Sequence, residues 1–286
     1  MSKLIEIRRR IKSTKNIRQI TKAMEMVSAV KLQHAQALLN INRNYIINLE
    51  ETVRKIMTYK EDLLPIEPKN SLIIVVTPTK GFVGPLVLNL EKKVKELINN
   101  NKNKKFSIIG IEKKSLNFIF SLNIDILAQI SLSSNNIENV YEISDIVIEE
   151  IKNKKIDEVY IIYNKFQNII SNEIIAEKMY PIDTKKEDFD SLYYVINKDP
   201  KAPAIYDIET HFEELYDNAI NIYIPSKLQS CIIESDTSEN AIRMITMRNS
   251  SDNAQELNKS LTFESNKIRQ SNITQEVIEI SSAANI

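Results

Sequence analysis

"LIEIRRRIKSTKNIRQITKAMEMVSAVKL" (residues 4–32) decides how this chain is built. It holds neither glycine nor proline, and no acidic residue lies between Glu6 and Glu25. Seven cations fill that gap: Arg8, Arg9, Arg10, Lys12, Lys15, Arg18 and Lys22. Through the same stretch run Ile7, Ile11, Thr14, Ile17, Ile20, Met24, Val27 and Val30, at steps of three or four. The stripe continues as His34, Leu38, Ile41, Tyr45, Leu49, Thr52 and Ile56. Such recurrence marks one face of a long helix, close to a coiled-coil seam. The cations then occupy the other faces of a packed helix.

Working outward, the three glycines are Gly81, Gly84 and Gly110, and the eight prolines all fall between Pro65 and Pro225. Residues 1–64 and 226–286 contain neither. In a helix interior these residues cost about 1 and 3 kcal/mol respectively, so their absence predicts two long terminal helices. Pro225 suits the first turn of the second, where its missing N–H is harmless. Ile242, Ile245, Leu257, Leu261, Ile268, Val277 and Ile280 anchor that helix. "NSSDNAQE" (249–256) has no large apolar residue and needs a partner that accepts small or polar contacts. Sixty helical residues would span roughly 90 Å, more than a globular domain of this mass requires.

The middle reads differently. "SLIIVVTP" (71–78), "FSIIGI" (106–111), "IDILAQI" (124–130) and "EVYIIYNKF" (158–166) are strand patterns. Helical patterns fall at 86–99, 112–121 and 137–152, and "SNEIIAEKMYP" (171–181) reads as an edge strand ending at a proline. Strands alternating with helices predict an α/β sheet of doubly wound, Rossmann-like type. Residues 183–210 read as a charged loop, and "NAINIYI" (218–224) as a short strand before the last helix. The predicted divisions are 1–64, 65–217 and 218–286.

The totals exclude several classes. Thirty-eight basic residues balance thirty-eight acidic ones, so any attraction to polyanions is local. Cys231 is the only cysteine, which rules out a disulfide framework within the chain and any zinc spacing. No run of about 18 apolar residues is present, and the N-terminus lacks the apolar core of a secretory signal. The one glycine loop, "TPTKGFVGPL" (77–86), sits where phosphates often bind, after a strand and before a helix. It matches neither a P-loop nor a dinucleotide fingerprint, and Pro85 removes an N–H, so a tight turn is the reading. His34 falls on the stripe as an interface residue, and His211 has no recognisable partner. No nucleophile elbow occurs. Met24, Met26, Met244 and Met247 read as packing residues. The chain shows no active site and no cofactor motif.

At this point the ends become specific. "IKSTKNIRQITKAMEMVSAVKLQHAQ" (11–36) resembles the N-terminal helix of the gamma subunits of F-type rotary ATP synthases. "TSENAIRMITMRNSSDNAQELNKSLTFESNKIRQSNITQEVIEI" (237–280) resembles their C-terminal helix. The glycine turn departs from the family pattern, with Val83 and Pro85 where a cysteine and a glycine are usual, and Ala283 stands at another usual glycine.

The resemblance implies an antiparallel coiled coil of the two terminal helices around a central α/β domain. It implies a non-catalytic rotor subunit that turns inside three alpha and three beta subunits and meets the epsilon subunit and the membrane c-ring. ATP chemistry would stay on the beta subunits, and rotation would couple it to proton flow. Membrane association would come only through the complex, at the cytoplasmic side of a bacterial inner membrane, with an organellar membrane as the lesser alternative. By motif, Lys22, Met24, Glu25 and Met26 match the segment near the beta subunits' levers. Arg269 and Gln270 match a catch for a beta-subunit loop. Ile273, Thr274, Glu276, Ile280 and Ala284 match the bearing tip, and Arg243, Met244 and Ile245 match a shaft-packing element. Two rivals remain: a nucleotide-dependent α/β enzyme with helical arms, and a nucleic-acid-binding adaptor. The second is disfavoured because residues 1–44 contain no aromatic.

Overall fold

The computed structural model describes residues 2–58, 68–112, 122, 124–131, 137–182 and 212–283. The elements run α1 (Ser2–Thr58), β1 (Asn70–Val76), α2 (Leu86–Asn100), β2 (Lys105–Ile111), β3 (Asp125–Ile130), α3 (Ile137–Lys152), β4 (Glu158–Phe166), β5 (Asn172–Tyr180) and α4 (Phe212–Ala283). The predicted charged loop 183–210, His211 and nearly all of the predicted helix 112–121 lie outside the described residues. The chain forms two compact units: residues 33–239, and residues 1–32 with 240–286.

In the first unit the sheet order is β3-β2-β1-β4-β5. β1 pairs parallel with β2 and β4, and β2 parallel with β3. Only β5 is antiparallel, along β4. β1 is buried from Ser71 to Val76, the continuous apolar run expected of a parallel strand covered on both faces. Leu72, Ile74 and Val76 join one core with Ile109, Ile111, Ile143, Val147 and Ile161. Ile73 and Val75 alternate to the opposite face and are fully buried there.

The segment 218–224 is helical, which corrects the short-strand expectation, and Pro225 lies inside α4 rather than in its first turn. A strand would put Ile220, Ile222 and Ile224 on one face. Instead Ile220 and Ile224 are buried while Ile222 is half exposed. Tyr216, Ala219, Ile220, Tyr223, Ile224, Leu228 and Cys231 form a helical stripe in the core. That burial outweighs a proline penalty of about 3 kcal/mol.

In the second unit α1 and α4 pair antiparallel. The Asn258 side chain donates to the Ile11 carbonyl at 3.2 Å, and Lys3 approaches Glu264 at 3.9 Å. Beyond Ile245 a line of buried or half-buried positions on α4 runs through Met247, Ser251, Ala254, Asn258, Leu261, Ser265, Ile268 and Asn272. They alternate four and three apart, a heptad seam filled largely by small and polar residues. The stretch 249–256 therefore meets its partner through Ser251 and Ala254.

The α1 stripe needs correction. It coincides with the seam at Ile7, Ile11 and Thr14, then parts from it by one residue. The seam positions of this unit continue through Thr21, Glu25, Ser28 and Leu32. One residue is about 100° around a helix. Ile17, Ile20, Val27 and Val30 are therefore 49–60% exposed. In the other unit Leu38, Ile41 and Tyr45 are likewise exposed, beside the buried Ala35, Leu39 and Ile46.

Candidate functional site

Ile17, Ile20, Val27 and Val30 of α1 lie off the seam that binds α4, whereas Tyr45, though half exposed, reaches the Ser226 hydroxyl of α4 at 3.4 Å. Isolated surface leucines need no explanation, but a continuous row does. On α4, Leu257, Phe263, Ile273, Val277, Ile278 and Ile280 are also exposed. Around them lie charges without local partners. Arg8, Arg9, Lys12, Lys15 and Arg18 are exposed and make no ion pair among the described residues. Arg10 pairs with Glu6 at 2.7 Å and Lys22 with Glu25 at 2.9 Å. Such apolar rows with unpaired cations at their margin are the chemistry of a protein interface.

The positions singled out by motif sort as follows. Met26 is exposed and Met24 half-buried, about 160° apart around α1. Glu25 is a seam residue with its carboxylate held by Lys22. Arg269, Gln270, Ile273, Thr274, Glu276 and Ile280 are exposed, with the Thr274 hydroxyl donating to the Gln270 carbonyl at 2.9 Å. Ala284 lies outside the described residues. Arg243 is buried, Met244 and Ile245 are half-buried, and Arg243 donates to Asn240 at 3.5 Å.

In the unit of residues 33–239, the chain's own carboxylates hold the ligand end of the sheet. A doubly wound sheet binds ligands outside the carboxyl ends of its strands, where strand order reverses. That place here lies between β1 and β4. The loop after β1 turns through Phe82 and Gly84, at φ 62° and 56°. At Gly84 the left-handed backbone favours glycine, whereas the exposed Phe82 adopts it against steric preference. Two N–H groups of this loop are already engaged by the chain itself. The Thr79 N–H and hydroxyl donate to Glu239 at 3.0 Å each, and the Lys80 N–H donates to it at 3.2 Å. Five residues earlier on α4, Glu234 accepts from the Phe166 N–H at 2.9 Å and from Arg43 at 2.7 and 2.9 Å. Arg43 also donates to the Phe166 carbonyl, and Ser238 to the Asn164 carbonyl at 3.2 Å.

The other buried charges are structural. Lys227 donates to Glu50 at 2.6 Å and to Glu177 at 2.7 Å, tying α4 to α1 and β5. Glu158 is held between Lys104 and Lys178. Burial acts to raise its pKa, but the two lysines prevail and keep its carboxyl below the usual range, unlike a general acid. No group of three or more metal-ligating side chains occurs among the described residues.

Sequence reading did not single out Glu234, Glu239, Arg43 or Lys227. Glu239 lies inside the matched segment 237–280, but its partners Thr79 and Lys80 are about 160 positions away. No local pattern carries that information.

A family model described as ATP synthase matches residues 3–286. The "ATP synthase gamma chain" of Roseiflexus sp. (strain RS-1) is 33% identical, over 98% of this chain and 96% of that protein. That of Brevibacillus brevis is 32% identical, over 98% and 97%. In fold, the chain is similar to a chain of the Tetrahymena thermophila mitochondrial ATP synthase central stalk and c-ring. The TM-score is 0.63 and the identity 24%, over 81% of this chain and 99% of that one. A chain of the Euglena gracilis mitochondrial ATP synthase rotor gives 0.62 and 16%, over 95% and 99%.

Proposed function

The chain belongs to the gamma-chain family of the ATP synthases, and from that premise we propose which of its surfaces couple rotation to catalysis. It is a non-catalytic central-stalk subunit. Its partners are three alpha and three beta subunits around the helix pair, with the epsilon subunit and the c-ring at the α/β domain. The complex stands at the cytoplasmic face of a bacterial inner membrane, and this chain joins the membrane only through it; none of its described helices is long and apolar enough to cross one.

The observation that carries this reading is the apolar row of α1, turned about 100° from a seam already filled by α4. A face of that kind stabilises whatever conformation of a partner closes on it. As the helix pair turns, each surrounding site meets a different face, and its nucleotide affinity changes in sequence. That is a coupling free energy delivered by rigid-body rotation. Lys22, Met24, Glu25 and Met26 act at the beta levers, Arg269 and Gln270 at the beta catch, and Ile273, Thr274, Glu276, Ile280 and Ala284 in the bearing. Arg243, Met244 and Ile245 stiffen the pair.

Replacing both Arg269 and Gln270 with alanine tests the catch. Both side chains are exposed, so assembly with alpha and beta subunits is expected to persist. ATP turnover by the complex should fall by about tenfold, the effect of one lost charge-assisted contact of roughly 1.5 kcal/mol. Unchanged turnover removes the assignment.

A further inference from the structure

Part of α4 packs on the carboxyl ends of β1 and β4. Glu234 and Ser238 meet the end of β4, and Glu239 meets the loop after β1. We propose that Glu239 is a positioning residue of the rotor: its carboxylate occupies the anion cradle of the β1–α2 loop and locks α4 to the sheet so that the domain and the helix turn together. This rests on the rotor reading above.

The chemistry is that of phosphate capture used internally. A β1–α2 loop presents N–H groups to an anion. Here two successive N–H groups and one hydroxyl converge on a single carboxylate, whose residue is 3% exposed. Both carboxylate oxygens accept: one from the Thr79 N–H, the other from the Thr79 hydroxyl and the Lys80 N–H. Arg43 and Glu234 make a second fastening at the neighbouring strand end, and it reaches α1 as well. Two fastenings on adjacent strands resist twisting, because rotation about one is blocked by the other.

Glu239→Gln is the informative variant. It keeps the shape but puts an amide NH2, a donor, where one of the two acceptors stood. The experiment uses the whole complex in sealed vesicles, comparing protons moved per ATP hydrolysed. That ratio is expected to fall below that of the unsubstituted complex, because a weakened contact lets ATP turnover proceed without the domain following α4. Amide exchange at Thr79 and Lys80 should quicken in the same complex. If Glu239→Gln does not assemble, Thr79→Val decides: it removes only the hydroxyl donor and should lower the ratio in the same direction. An unchanged ratio beside faster exchange makes the contact mere packing and overturns the proposal, and unchanged exchange overturns its geometry. If the unsubstituted complex does not pump, the rotor reading itself fails, and the proposal with it.

Discussion

Replacing Lys227 with methionine is expected to lower the stability of the chain by about 3–5 kcal/mol. The side chain is 8% exposed and is the shared partner of Glu50 and Glu177. Tyr163 donates to the other oxygen of Glu177 at 3.0 Å. Burial opposes the ammonium charge, but the Glu177 and Glu50 carboxylates more than offset it, so the lysine stays protonated above its usual range. Methionine fills a similar volume and removes the ammonium that Glu50 and Glu177 share. Thermal unfolding should begin about 10 °C earlier, given the entropy of a domain near this size. Changing Glu50 and Glu177 to glutamine in the same chain should recover most of the loss, because the uncompensated charge is the main penalty. A loss below about 1 kcal/mol for the single variant contradicts the assignment of this trio as a largely buried, stabilising network.

Exchanging Ile20, Val27 and Val30 for glutamate is expected to abolish assembly while leaving the chain folded. All three are more than half exposed, so their removal costs the isolated chain little, and glutamate is a good helix former. Within a partner's sleeve the same positions become buried. Each apolar side chain then contributes about 1.5 kcal/mol or more, and the glutamates add desolvation. Affinity for an alpha–beta ring should fall at least about a thousandfold. Equilibrium titration of a labelled ring measures it, with circular dichroism reporting the helix content. Normal assembly of the folded variant would show that this row does not face the ring.

The sheet was legible because each strand is a short apolar run between turn signals. β4 and α3 fall where the pattern put them, and the other strands within one or two residues. The long helices were legible from the missing glycine and proline. Beyond Thr14 the seam was not, because it is built from residues such as Ser28, Ser251 and Ala254, which periodicity of large apolar residues passes over. The conspicuous stripe led instead to an outer, exposed face. The run 218–224 misled because Ile220, Ile222 and Ile224 alternate as in a strand, while Tyr216 and Tyr223, which complete the helical face, sit at its margins. The fastening by Glu239 joins residues far apart in the chain, so only the folded structure displays it.

Rotation itself is the measurement closest to the central claim. Cys231 is buried, so a cysteine placed at the exposed Lys92 of α2 can be labelled selectively. With the alpha–beta ring fixed to a surface and ATP supplied, a probe on that cysteine should turn in one direction in steps of about 120°, as a threefold ring requires. A probe that stays still while the same complexes hydrolyse ATP at full rate would contradict the account.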